Sequence, residues 1–135
     1  MDKENLNEDE ISLKFNALAQ KLQEGKIEFS YLFKDQWISQ EVNNVTVTVN
    51  SKMLSFHLIG SDRYGTWTQM GAMTVSKSHQ VETFSRKIYD DYNLQGGNVL
   101  IYYGKYDEQN ETLHGNWYYL QGDSRGEWTL KFKSQ

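Results

Sequence analysis

The apolar positions of this chain change period once, near residue 25. Before that point Ile11, Phe15, Leu18 and Leu22 recur at helical spacing and form one stripe. Asn7 stands where an N-cap is expected, with Glu10 three positions on as in a capping box, and Gly25 is a natural stop. The spacing predicts a helix over residues 8–24, with residues 1–7 a frayed, disordered end.

From Lys26 the period is two. Ile27, Phe29, Tyr31 and Phe33 alternate with Glu28, Ser30 and Lys34, and Leu32 interrupts the polar side. Val45, Val47 and Val49 alternate with Thr46 and Thr48. A turn at 50–52 leads to a strand from Met53 to Ile59. Gly60-Ser61-Asp62-Arg63 turns again, and Tyr64 to Met70 returns. Two further segments are expected near Met73–Ser76 and Val81–Tyr89, followed by a polar connection closing on Gly96-Gly97. Three clear strands finish the chain at Val99–Tyr106, Thr112–Leu120 and Gly126–Phe132. Short connections favour an up-and-down antiparallel order of about eight to ten strands in a single domain, residues 8–135. So many strands with one wet face tend to close, because closure removes both sheet edges; a two-sheet sandwich is the alternative.

The spacing Gly-x-Trp occurs at Gly65/Trp67, Gly115/Trp117 and Gly126/Trp128, with Gly104-Lys105-Tyr106 a related step. Residues two apart share a face of a strand, so each glycine lies beside a large ring. Such pairs suit the taper of a small barrel. Strand 99–106 is apolar on both faces and needs a cover. The helix stripe is expected either to dock there or to plug a barrel end.

The stretch from Val99 to Phe132, with its Gly-x-aromatic steps separated by turns, resembles the closing strands of calycin-like barrels, the group of lipocalins, fatty-acid-binding proteins and avidins. Gly65-Thr66-Trp67 looks like the Gly-x-Trp that opens many of them. The pattern is also similar to the β-barrel sensor domain of bacterial anti-phage effectors, which bind cyclic nucleotides and carry two transmembrane helices. The resemblance implies a barrel with a ligand-binding habit, and its second branch implies a role in antiviral defence.

Composition narrows the chemistry. The 135 residues include nine Tyr, six Phe and four Trp, but no Cys and no Pro. Thiol catalysis, disulfides and cysteine zinc sites are thereby excluded. The formal charge of −4 is matched by the first ten residues, where Asp2, Glu4, Glu8, Asp9 and Glu10 outweigh Lys3. No basic stripe offers a surface for a DNA or RNA duplex. No apolar run approaches the ~18 residues of a membrane span. The acidic N-terminus is unlike a signal peptide, and a cytoplasmic location is expected.

His57, His79 and His114 fall on separate segments without metal-ligand spacing. Asp90-Asp91 and Asp107-Glu108 are adjacent loop carboxylates, poorly placed for an acid/base dyad. No enzyme, cofactor or metal is expected. The expected function is small-molecule binding inside the barrel, with a nucleotide or cyclic nucleotide stacking on rings. The candidate ligand-binding residues are Trp67, Gln69, Trp117, Tyr119, Tyr106 and Tyr31, with Arg63 or Arg86 facing the ligand's charge. The alternative is an inhibitor- or immunity-type interaction module with a packed barrel. Its partner would be met by the N-terminal helix or by exposed Trp37, Tyr64 and Tyr92.

Overall fold

A computed structural model describes residues 8–50, 52–94 and 97–133. The expected cap Asn7 and end segment 1–7 lie outside the described residues. Helix α1 (Glu8–Glu24) leads into β1 (Ile27–Phe33), β2 (Gln36–Asn50), β3 (Met53–Asp62) and β4 (Gly65–Val75). Strands β5 (Val81–Tyr89), β6 (Val99–Asp107), β7 (Thr112–Tyr119) and β8 (Arg125–Phe132) complete the chain. Each strand pairs antiparallel with the next, and β1 pairs with β8, so eight strands close in simple up-and-down order. The architecture is consistent with a calycin-like barrel. Met73 to Val75 is the end of a single long β4 rather than a separate strand.

The strand interrupted by Leu32 turns out to be regular. Phe29 and Tyr31 face inward, and Leu32 lies on the outside. The β1–β2 hairpin is closed by Lys34-Asp35, both with positive φ (50° and 63°). That geometry belongs to the primed two-residue turns, which ordinarily take Asn-Gly. Without a glycine the turn is invisible to residue preference, and so is the first half of β2 behind it. Between Val42 and Asn44 the register of β2 with β3 shifts at a bulge. The extra residue lets Ile38 and Gln40 face inward against β1, while Val45, Val47 and Val49 pack on the core beside β3.

Glycines and tryptophans meet across strands rather than only along them. Gly60 pairs with Trp67, Gly115 with Trp128, and Gly126 with Trp117. A Cβ on Gly126 would stand 2.8 Å from the Trp117 indole nitrogen, and one on Gly60 would stand 2.6 Å from the Trp67 ring. The Trp67 and Trp117 indoles therefore occupy space that a side chain at Gly60 or Gly126 would take. Trp117 donates to the Leu32 carbonyl at 3.2 Å, and Trp128 to the carbonyls of Tyr103 and Asn116, both at 3.1 Å.

Helix α1 does not cover the outer face of β6. Its stripe Ile11, Phe15, Leu18 and Leu22 joins the same core cluster as Leu54, Leu113, Leu130 and Phe132. The helix packs on β2 and β3 at one side, while Lys14 and Lys21 pair with Glu108 and Glu111 in the β6–β7 turn. In an eight-stranded ring those elements stand on opposite sides, so the helix lies across the opening as a stopper. The other end is narrowed by rings: Phe33 meets Tyr64 at 6.0 Å and Trp117 at 5.9 Å, and Trp117 meets Tyr119 at 5.8 Å.

Two outcomes test this account. Phe15→Asp places a charge in a fully buried position and should lower the melting temperature by roughly 10 °C; an unchanged value would mean that the stopper is not packed. Asp35→Gly relieves a left-handed backbone and should raise the urea unfolding free energy by about 0.5–1 kcal/mol.

Candidate functional site

Strand β5 alternates strictly, and its inward residues after Val81 are polar: Thr83, Ser85 and Lys87 are all buried. Lys87 is 0% exposed. Its ammonium donates to Gln40 Oε1 at 2.6 Å, to the Tyr89 hydroxyl at 2.9 Å and to Asp62 Oδ2 at 3.0 Å. The Tyr89 hydroxyl in turn donates to Asp62 at 2.6 Å. The side chain of Asp62, the last residue of β3, is as fully buried as that of its partner. Rings close the remaining directions. Nζ lies 4.5 Å from the centroids of Tyr31 and Tyr89, 5.1 Å from Trp67 and 5.6 Å from Tyr102. The quadrupoles of Tyr31 and Trp67 favour a nearby cation, while Tyr89 and Tyr102 meet it through their hydroxyls.

Two opposed effects act on this ammonium. Burial pushes Lys87 down to about 8, against the pull of the Asp62 carboxylate. Burial raises the phenols of Tyr31, Tyr89 and Tyr102 well above their ordinary range. Three buried polar atoms on residues around the ammonium have no hydrogen-bond partner among the described residues: Gln40 Nε2, Trp67 Nε1 and Gln69 Oε1. Gln69 uses its amide nitrogen to reach the Ser85 hydroxyl at 2.8 Å.

The expected ligand residues separate into groups. Tyr31 and Trp67 belong to the cage around Lys87, and Gln69 is the cross-strand neighbour of Lys87. Trp117 and Tyr119 pack together toward the ring-closed end, and Tyr106 lies below α1 against Phe132 at 6.1 Å. Arg63 is in the exposed β3–β4 turn, 3.4 Å from Gln36. Arg86 points outward. Asp62, Lys87, Tyr89, Tyr102 and Gln40 were not anticipated. The available signal was the parity of β5, which places Lys87 on the same face as Val81 and Tyr89. Asp107 proves to be a turn organiser: it accepts from the backbone of Gln109 and from the Asn110 side chain at 2.6 Å, which holds its carboxyl below the usual range.

A second feature lies outside. Across β3–β6 a row on the outer face runs His57, Met70, Arg86 and Ile101. With Phe84, Thr46, Thr48, Ser55 and Leu120 these residues line a trough of about 680 Å³. Phe84 is 60% exposed and Met70 45%, and Tyr103, Tyr118 and Leu120 extend the exposed apolar surface over β6 and β7. Among the described residues of the lining, Arg86 is the one arginine or lysine, and no carboxylate accompanies it there.

Among the described residues, no group of three or more His, Asp or Glu is placed to hold a metal ion. None of the described helices is long and apolar enough to cross a membrane. The chain matches no protein family, no curated protein and no solved structure.

The sign of the pH response follows from the cage. Between about pH 8 and the ordinary lysine value of 10.5 the unfolded chain binds more protons at Lys87 than the folded one, so stability rises with pH. Above about pH 10 the unfolded chain sheds phenolic protons that the buried tyrosines keep, and stability falls. Urea midpoints should therefore peak at about pH 9–10. Lys87→Met should remove the rising limb; a profile identical to that of the parent would separate Lys87 from the effect.

Proposed function

We propose that the barrel is an interaction module that captures a partner protein on the outer face of β3–β6, not an enzyme and not a carrier with an internal ligand. The observation that carries this reading is the pairing of a filled, doubly stoppered interior with an uncovered apolar trough. Phe29 makes ring contacts with Trp67, Tyr102 and Trp128 at 5.9–6.1 Å through the middle of the barrel. Lys87 occupies the space that a ligand stacking on Tyr31 and Trp67 would need. Outside, a contiguous apolar surface rimmed by polar groups is the usual mark of an interaction site. The helix stripe is committed to the barrel end, which favours the trough over α1 as the contact surface.

The charge of the trough defines the partner. Exposed Phe84 and Met70 flank Arg86, with threonine and serine hydroxyls at the rim. This lining fits a segment that presents an apolar side chain beside a carboxylate. A second copy docking by the same face would bring two Arg86 guanidiniums onto one apolar floor, so a different, acidic chain is favoured. Arginine and aromatic residues are the side chains that most often dominate such contacts.

Selection of displayed random peptides on the intact protein tests the reading. Enriched sequences should pair an aliphatic or aromatic residue with Asp or Glu. Phe84→Ser and Arg86→Glu should each weaken their binding at least about tenfold. Binding that survives both changes would remove the trough from consideration. A nucleotide-induced thermal shift that survives both changes but is lost in Trp67→Ala would restore the internal-ligand reading, including the cyclic-nucleotide sensing that the sensor-domain resemblance implies.

A further inference from the structure

We propose that the half of the barrel interior around Asp62 is an alkylammonium-binding site, walled by Tyr31, Trp67, Tyr89 and Tyr102, which the chain fills with its own Lys87 side chain. A primary ammonium has three N–H donors. The site supplies acceptors at 2.6, 2.9 and 3.0 Å on Gln40, Tyr89 and Asp62, with the Tyr102 hydroxyl a fourth, more distant one at 3.5 Å. Beyond these oxygens the rings of Tyr31 and Trp67 lie 4.5 and 5.1 Å from the nitrogen. Ring faces, one carboxylate and a full set of acceptors are the components of an amine receptor.

Simple core packing does not account for this set. A methionine of similar length would fill the same space without an ion, and buried ion pairs seldom stabilise more than the apolar groups that could replace them. The cage also holds more hydrogen-bonding capacity than Lys87 uses, since Gln69 Oε1 and Trp67 Nε1 stay unpartnered at 3% and 0% exposure. Its acceptors select for N–H donors. The ligand class is therefore a short primary alkylammonium and not a quaternary one, which has rings to meet but no proton to donate. Beyond Cβ the lysine side chain is itself n-propylammonium.

The test removes the tethered ligand and supplies it free. Lys87→Ala and Lys87→Gly are refolded from urea in n-propylammonium and n-butylammonium chloride, at ionic strength matched with sodium chloride. The folded fraction and melting temperature are read against concentration. The melting temperature of Lys87→Ala should rise with the logarithm of n-propylammonium concentration, by about 5 °C or more at saturation. The parent should not respond, and Lys87→Ala/Asp62→Asn should lose the response. The assay holds even where a variant is unfolded without amine, because amine-dependent folding is then the signal. No dependence on amine in either variant overturns the proposal. An equal rise with 1-butanol would reduce the site to an apolar hole, and an equal rise with tetramethylammonium would overturn the role given to the acceptors.

Discussion

The ion pair between Lys87 and Asp62 is the constraint on which the interior depends. Two full charges removed from water carry a desolvation cost of several kcal/mol each, unless every donor and acceptor is met. Gln40, the hydroxyls of Tyr89 and Tyr102, and the rings of Tyr31 and Trp67 meet them here. That requirement ties together β1, β2, β3, β4, β5 and β6, because each contributes a group to one ammonium. A slip of any of these strands by one residue would turn its contribution to solvent. The pair thus fixes register around most of the ring, which apolar packing alone would do less sharply.

The aromatic content follows from the same requirement. Rings are large enough to fill a barrel of this size and, unlike aliphatic chains, tolerate a cation against their faces. Their indole N–H groups find strand carbonyls, as Trp117 and Trp128 do. Gly60 and Gly126 on the neighbouring strands make room for the indoles of Trp67 and Trp117. With the interior committed in this way, and α1 seated across one opening, the outside of the barrel is the surface left for contacts.

Much of this fold was legible in the sequence, and the reasons for the rest are physical. Alternation in β1, β7 and β8 gave their faces despite Leu32, and the 3.6-residue stripe gave α1 with its bounds. The β1–β2 hairpin was hidden because Lys34 and Asp35 adopt left-handed backbone without a glycine. The single long β4 was broken in the reading because Gly71 lowers its apparent strand character. The helix stripe announced that α1 must pack, but period alone does not distinguish a barrel end from a sheet face. The cage was the least legible feature. Asp62 and Lys87 are brought together only by the pairing of β3, β4 and β5, and each alone resembles a surface charge. Tyr31 and Trp67 were picked out as rings facing a ligand; they do face a cation, but one supplied by the chain itself.

The β1–β8 ladder has a consequence for how the chain is made. Ile27 pairs with Phe132, at opposite ends of the strand order. Every other ladder joins strands that follow one another in sequence and can zip as short hairpins. The closing seam cannot form until β8 has left the ribosome, so the edge of β1 that it covers stays exposed until then. Long-range closure of this kind is slow and leaves the nascent sheet open to pairing with other chains. Lys26 and Lys133, which flank the seam and are joined by a backbone hydrogen bond of 2.8 Å, stand where charge discourages such pairing before the ring is shut.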